Sequence, residues 1–307
     1  MENIIRNSSI DKKSINNTLM KKSRSIRSII SFFGITLLRI SILISVTFLI
    51  AFLIMIFIKG WKVLSLSFIF EAPREYMTQG GIFPAIVGTF YLTFFSILIA
   101  LPLGVLSAIF LSEYAKPVWL VKIVRLAINT LASVPSIVFG LFGLAIFVVV
   151  FKFGASILAG GLTLAILILP IIINASEEAI KVVPKDFREA SLALGATKRE
   201  TIMRIILPTA LPSILTGAIL SVGRAAGETA PIIFTAATFY TIGLPKGILE
   251  ECMALPFHIY ALMTEGTHPD LQKPIAYGTA IILLFLVIFI NLFAIIIRFY
   301  MRRKKKW

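Results

Sequence analysis

Six long stretches of this chain carry no charged residue, and they limit the folds open to it more than any other feature. They run Ile40–Ile58, Tyr76–Ser112, Leu126–Phe151, Phe153–Ser176, Ile205–Gly223 and Pro274–Ile297. A bilayer core of roughly 30 Å takes about 20 helical residues, so each stretch can cross it or nearly so. Mean hydropathy of +0.96, with 58% hydrophobic residues over 307 positions, excludes an ordinary soluble domain. The second stretch contains the Gln79-Gly80-Gly81 loop and Pro84, so its helix is predicted to start near Ala85. The fifth is predicted to continue through Arg224 and Glu228 to about Phe234. The expectation is an all-α integral membrane protein of six transmembrane helices.

Six spans put both termini on one side, and the basic residues say which. The two tails, the Glu113–Arg125 loop and the Glu177–Arg204 segment, with Arg39 at the edge of the first span, hold 23 of the 30 Lys and Arg residues. The opposite side holds Lys59, Lys62, Arg74, Lys152, Lys246 and Lys273, and Arg224 lies within a span. The positive-inside bias therefore predicts cytoplasmic termini. It also accounts for most of the net charge of +15 without a nucleic-acid partner. The Lys304–Lys306 cluster suits anionic lipid headgroups. Residues 1–35 are expected to be a flexible basic tail, 36–60 the first span and 301–307 a second basic tail. The two glycosylation-like tripeptides near Asn7 and Asn16 are then chance matches.

Several chemistries find no residues to carry them. A single cysteine, Cys252, permits no internal disulfide, and His258 and His268 show no metal-ligand spacing. The phosphate-cradling pattern G-x-x-x-x-G-K-[ST] is absent from the sequence. No cofactor is expected in this chain. If ATP drives it, ATP and Mg belong to another polypeptide.

Between the fourth and fifth stretches lies the charged segment Glu189 to Pro208, E-A-S-L-A-L-G-A-T-K-R-E-T-I-M-R-I-I-L-P. Ala190, Leu192, Ala193 and Leu194 favour a helix, Gly195 a bend or close backbone approach. Leu207-Pro208 reads as the start of the next span. The order Glu189, Ala190, Gly195, Ile205, Leu207, Pro208 resembles the EAA motif of ABC-importer permeases, with Ser191 where the motif usually has a second Ala. That resemblance implies a cytoplasmic coupling helix, within a segment of residues 186–208, that docks on an ATPase.

The resemblance continues through residues 82–300, which it implies are a type I ABC-importer permease domain. Gly80–Thr89, Ser133–Gly143 and Leu169–Ile172 with Glu177-Glu178-Ala179 are similar to the phosphate permeases of this family. Arg224-Ala225-Ala226-Gly227-Glu228-Thr229-Ala230-Pro231 and Leu255–Tyr260 resemble its PstA branch rather than PstC. What this implies is a subunit of an ATP-driven phosphate importer in a bacterial or archaeal plasma membrane. Its partners would be a PstC-like permease, two PstB-like ATPase subunits and a PstS-like phosphate-binding protein.

Arg224 and Glu228, four apart, are expected on one helix face inside the fifth span. An ionisable residue there costs at least ~2.5 kcal/mol, so it faces a cavity or a partner. In one reading Arg224 lines the path and contacts the anion with its paired donors, tempered by Glu228 and assisted by the Thr229 hydroxyl. In the other the two charges neutralise each other and hold helices in register. Glu250, Glu251, His258, Glu265, His268 and Asp270 fall in an outer loop, expected to meet a receptor or solvent. Asn174 and Ser176 are expected to bond between helices or at a helix end, and the glycines of the spans to permit close packing. A permease for sulfate or molybdate, an ion-coupled transporter and a non-transporting scaffold remain as alternatives.

Overall fold

The structure, a computed structural model, describes residues 32–241 and 243–303. Residues 1–31 and 304–307, with most of both basic tails and both glycosylation-like tripeptides, lie outside the described residues. The chain divides into units of residues 1–55 and 56–307. In the first, residues 32–55 are helical and uncharged apart from Arg39, and belong to helix α1 (Phe32–Val63).

The second unit holds the rest of the fold. Helix α2 (Leu66–Phe70) is capped by Ser65, whose hydroxyl accepts the Phe68 N–H at 3.1 Å. A two-residue hairpin follows, β1 (Pro73–Arg74) antiparallel to β2 (Gln79–Gly80), pairing Pro73 with Gly80. Helix α3 (Phe83–Tyr114) starts two residues before Ala85, because Pro84 fits a first helical turn. Helices α6 (Ile157–Lys181), α8 (Lys198–Gly227) and α11 (Pro269–Arg303) complete the long apolar elements.

Among the described residues, five helices are thus long and apolar enough to cross a membrane, and a sixth span is made if one bent pair counts as one. That pair is α4 (Val118–Ala132) and α5 (Ser136–Val150), bent by 98°. The uncharged stretch Leu126–Phe151 is therefore not one continuous helix but falls across this bend. Pro135 has no N–H and disfavours helical backbone at Val134, and here the helix breaks at Ser133-Val134. Ser133 closes the end, its hydroxyl donating to the Thr130 carbonyl at 2.7 Å.

Helices α3 and α6 form the central pair, α8 lies against both, and α11 against α8. Small residues make the approach possible. A Cβ added to Gly143 would collide with Thr163, and one on Gly217 with Ala175. Helix α4 is held to α6 by Arg125 on Glu177 at 2.5 Å and by Asn174 donating to Asn129 at 3.0 Å. Asn174 is therefore an interhelical bonder as expected. Ser176 is buried, and its hydroxyl has no partner among the described residues.

The segment after α8 differs from the open loop expected. Helix α9 (Ala230–Ile233) packs on α5, and helix α10 (Leu255–Thr264) on α11. The carbonyls of Glu250 and Ile248 accept the Ile157 and Leu158 N–H groups, both at 2.9 Å, and so cap α6. The Leu255 N–H donates to the Thr89 hydroxyl at 2.8 Å. Residues 252–258 are buried, which corrects the solvent- or receptor-facing placement of His258; Glu250, Glu251, Glu265, His268 and Asp270 are exposed.

Candidate functional site

The charged segment between α6 and α8 is a helix–turn–helix rather than one helix. Helix α7 (Lys185–Ala193) ends at a turn in which Gly195 adopts φ +84, a left-handed conformation natural to glycine. Gly195 is exposed and a Cβ there would meet nothing within 4 Å, so of its two expected uses only the bend holds. Helix α8 then starts at Lys198, well before Leu207-Pro208. The cause is a capping box: the Thr197 hydroxyl accepts the Glu200 N–H, and the Glu200 carboxylate accepts the Thr197 N–H at 2.9 Å. Pro208 is accommodated inside α8 behind a π-turn over Ile202–Ile206.

This hairpin forms an apolar groove of about 440 Å³. Phe187, Ala190, Ser191 and Leu194 line it from the α7 side, and Arg204, Ile205, Pro208 and Thr209 from α8. Ala190, Ile205 and Pro208 are thus brought together. Glu189 lies exposed outside the groove lining, and Leu207 packs inward on the cluster formed by Ile180, Ile202 and Ile206. Ser191, the departure from the motif, has a definite place: its hydroxyl lies 2.9 Å from that of Thr201, and both are buried. The residue pattern marked Ser191 as a small-for-small exchange and missed this bond, which closes the hairpin across its turn.

At the far end of α8 the expected helix through Glu228 to Phe234 is corrected. Helix α8 stops at Gly227, and Glu228 is extended at φ −74, ψ 133. Gly227 is a weak helix former, and Pro231 has no N–H to offer the Gly227 carbonyl. Arg224 and Glu228 still meet, with Arg224 Nε 3.3 Å from Glu228 Oε1, but across a helix end rather than along a face. The Arg224 side chain is 42% exposed and that of Glu228 17%. A cation in the last turn of α8 also complements the negative end of the helix. Thr229 is half-buried and makes no side-chain capping bond to α9.

Beside this pair is a cavity of about 10 Å³, room for roughly one water, lined by Glu228, Thr89, Thr93 and Ala225 among others. Thr89 donates to the Ala85 carbonyl at 2.7 Å, as intramembrane threonines commonly do. Thr93 is 5% exposed, and its hydroxyl has no partner among the described residues. Sequence reasoning missed Thr93. Its signal is faint, because nothing in the residue pattern separates it from the back-bonded threonines around it.

Two further titratable groups lie in the segment between α9 and α11. Burial pushes the Cys252 thiol up to about 12, with Glu251 adding to the shift, so the thiol stays protonated and unreactive. Burial pushes the His258 pKa down to about 4. Its imidazole is neutral at physiological pH, and neither ring nitrogen has a partner among the described residues.

Residues 100–307 match the model of the family described as binding-protein-dependent transport system inner membrane component. The chain belongs to that family. It is 36% identical over 245 residues to the probable ABC transporter permease protein YqgI of Bacillus subtilis, covering 76% of this chain and 83% of that protein. It is 35% identical over 249 residues to the phosphate transport system permease protein PstA 1 of Mycobacterium tuberculosis, covering 81% and 78%. The probable phosphate transport system permease protein PstA of Methanocaldococcus jannaschii is 37% identical over 217 residues, covering 70% and 75%. Among solved structures, a chain of a bacterial alginate ABC transporter superposes with a TM-score of 0.63 at 17% identity, covering 86% of this chain and 92% of that one. A chain of the MetNI methionine ABC transporter gives 0.54 at 22%, covering 72% and 94%. At such identities these two show a shared fold, that of the type I importer permeases.

Proposed function

We propose that this chain is the permease subunit of an ATP-driven inorganic phosphate importer and forms half of its translocation pathway. Its similarity to PstA proteins over most of its length supports the substrate. The observation that carries the reading is the Arg224–Glu228 pair at the break between α8 and α9. A guanidinium there offers a phosphate paired planar donors, and Glu228 limits how tightly the anion is held. Thr229 adds a half-buried hydroxyl at the same break.

The family's name implies a binding protein, and its members work as components of larger importers. The groove between α7 and α8 is the docking surface for a separate ATPase, with Glu189, Ala190, Gly195, Ile205 and Pro208 on or beside it and Leu207 anchoring it to the core. Closure of two PstB-like ATPases would move the hairpin and shift the population between outward and inward access. A PstC-like permease would complete the pathway, and a PstS-like protein would deliver phosphate. ATP and Mg chemistry belongs to the ATPases. The basic residues around the hairpin support a cytoplasmic position for it and for the termini, beneath a bacterial or archaeal plasma membrane.

The test is ATP-dependent uptake of labelled phosphate by the full assembly, beside Arg224→Gln at matched expression. Uptake is expected in the wild type and to collapse in the variant while the ATPase still binds. Uptake that survives the substitution makes Arg224 a structural residue. Uptake that sulfate or molybdate displaces as well as phosphate does would move the assignment to another oxyanion.

A further inference from the structure

We propose that Glu113 is the residue through which the hairpin moves helix α3. The proposal rests on the hairpin being the ATPase docking surface. Glu113 lies in the last turn of α3, distant in sequence from α7 and α8, yet both hold it. From α7, Arg188 Nη2 stands 3.2 Å from Glu113 Oε1 and donates to the Ile180 carbonyl of α6 at 2.8 Å. From the first residue of α8, Lys198 Nζ donates to the Glu113 backbone carbonyl and lies 4.8 Å over the Tyr114 ring. The grips come from opposite sides of the Gly195 turn.

The contacts differ from ordinary surface ion pairs. The Arg188 and Glu113 side chains are 22% and 13% exposed, so water screens their attraction weakly, and removing either partner strands a largely buried charge. The Glu113 carbonyl belongs to a helix end, where carbonyls lack helical partners, and Lys198 supplies one. The hairpin that makes both contacts is a stiff body, closed by the Ser191–Thr201 bond and the Thr197–Glu200 capping box. A push on α7 therefore reaches α3 with little loss in the turn. From Glu113, α3 runs back to Thr93 at the cavity beside Glu228, roughly 30 Å away at 1.5 Å per residue. Helix α8 reaches the same cavity from the other arm of the hairpin.

Two measurements on the full assembly test this. The first follows movement and needs no substrate. Spin labels on Asp186→Cys in α7 and Leu98→Cys in α3 report their separation with and without trapped ATP; buried Cys252 stays unlabelled. In an otherwise wild-type background the separation is expected to stay constant, because the two helices move together. With Glu113→Gln added, ATP should change or broaden it. An unchanged, narrow separation in that variant overturns the proposal, whatever the transported anion proves to be. The second measurement is uptake with ATPase subunits shown to co-purify. Glu113→Gln should lose about tenfold, the size of a typical coupling between sites. The exchange Glu113→Arg with Arg188→Glu should recover part of that loss, since the ion pair returns but the bond to the Ile180 carbonyl does not, and a role in folding alone predicts no recovery. Uptake by Glu113→Gln within about twofold of wild type, or no recovery in the exchange, also overturns it.

Discussion

The turn between α7 and α8 and the break between α8 and α9 each interrupt helix at a glycine, and they are built in opposite ways. At Gly195 the polar groups are consumed locally: Thr197 with Glu200, Ser191 with Thr201. At Gly227 they are left open, with Arg224 and Glu228 loosely paired at 3.3 Å and the Thr93 hydroxyl in the adjoining cavity without a partner among the described residues. A satisfied turn is stiff and can pass on a force. An unsatisfied break stays ready for a guest, because its buried polar groups gain most from a new hydrogen bond. Helix α8 has one of each, the closed turn before its start and the open break at its end.

Gly195→Asp strikes the stiff end hardest. A Cβ meets nothing there and Asp tolerates the left-handed backbone, so the subunit should assemble. If the hairpin docks the ATPases as proposed, the new charge on its exposed face is expected to lower ATP-driven uptake by more than about tenfold while the ATPases go on hydrolysing ATP. Normal uptake would refute a coupling role for the hairpin.

His258 tests whether stability is set away from both ends of α8. Between about pH 4 and 6.5 the unfolded chain binds a proton that the folded chain refuses, so stability falls as pH falls through that window. The loss at pH 5 relative to pH 7 should be about 2 kcal/mol. Thermal unfolding of purified wild type against His258→Leu measures it, and equal pH dependence in the two would exclude the imidazole as the cause.

Ser191→Ala should soften the hairpin. Losing one buried hydroxyl pair costs about 1 kcal/mol, since Thr201 keeps a bond to the Thr197 carbonyl at 3.1 Å. Faster amide exchange at residues 194–197, with the rest of the chain unchanged, is the expected signature. Thr93→Val sharpens the other end. Removing a buried hydroxyl that has no partner among the described residues should leave stability unchanged or raise it by about 1 kcal/mol, while uptake falls if that hydroxyl serves the anion. A large loss of stability would mean that Thr93 is bonded after all.

Much of this molecule is legible in its residues. Long uncharged stretches predict membrane helices because lipid accepts few charges, and the structure has them. The EAA-like order marks the hairpin, and four-residue spacing marks the Arg224–Glu228 pair. The misreadings share a cause. Leu126–Phe151 and the segment through Phe234 each look like one continuous helix, because hydropathy registers apolar length and is blind to where the backbone turns. Pro135 and the Gly227–Pro231 interval carried the signal, yet prolines are also tolerated inside spans, as Pro102, Pro170 and Pro212 are here.

The sequence by itself determined that the chain carries long uncharged stretches suited to a membrane and, between two of them, a charged stretch with an EAA-like order. These follow from the cost of burying charge and from local spacing, both of which a linear chain displays. Only the tertiary structure decided that Ser191 bonds Thr201, that Thr93 faces the Glu228 cavity, and that Arg188 and Lys198 converge on Glu113. Those relations join residues from different helices. Which face a helix turns to its neighbour is settled by how small residues such as Gly143 and Gly217 let the helices approach, and that packing exists only once the chain has folded.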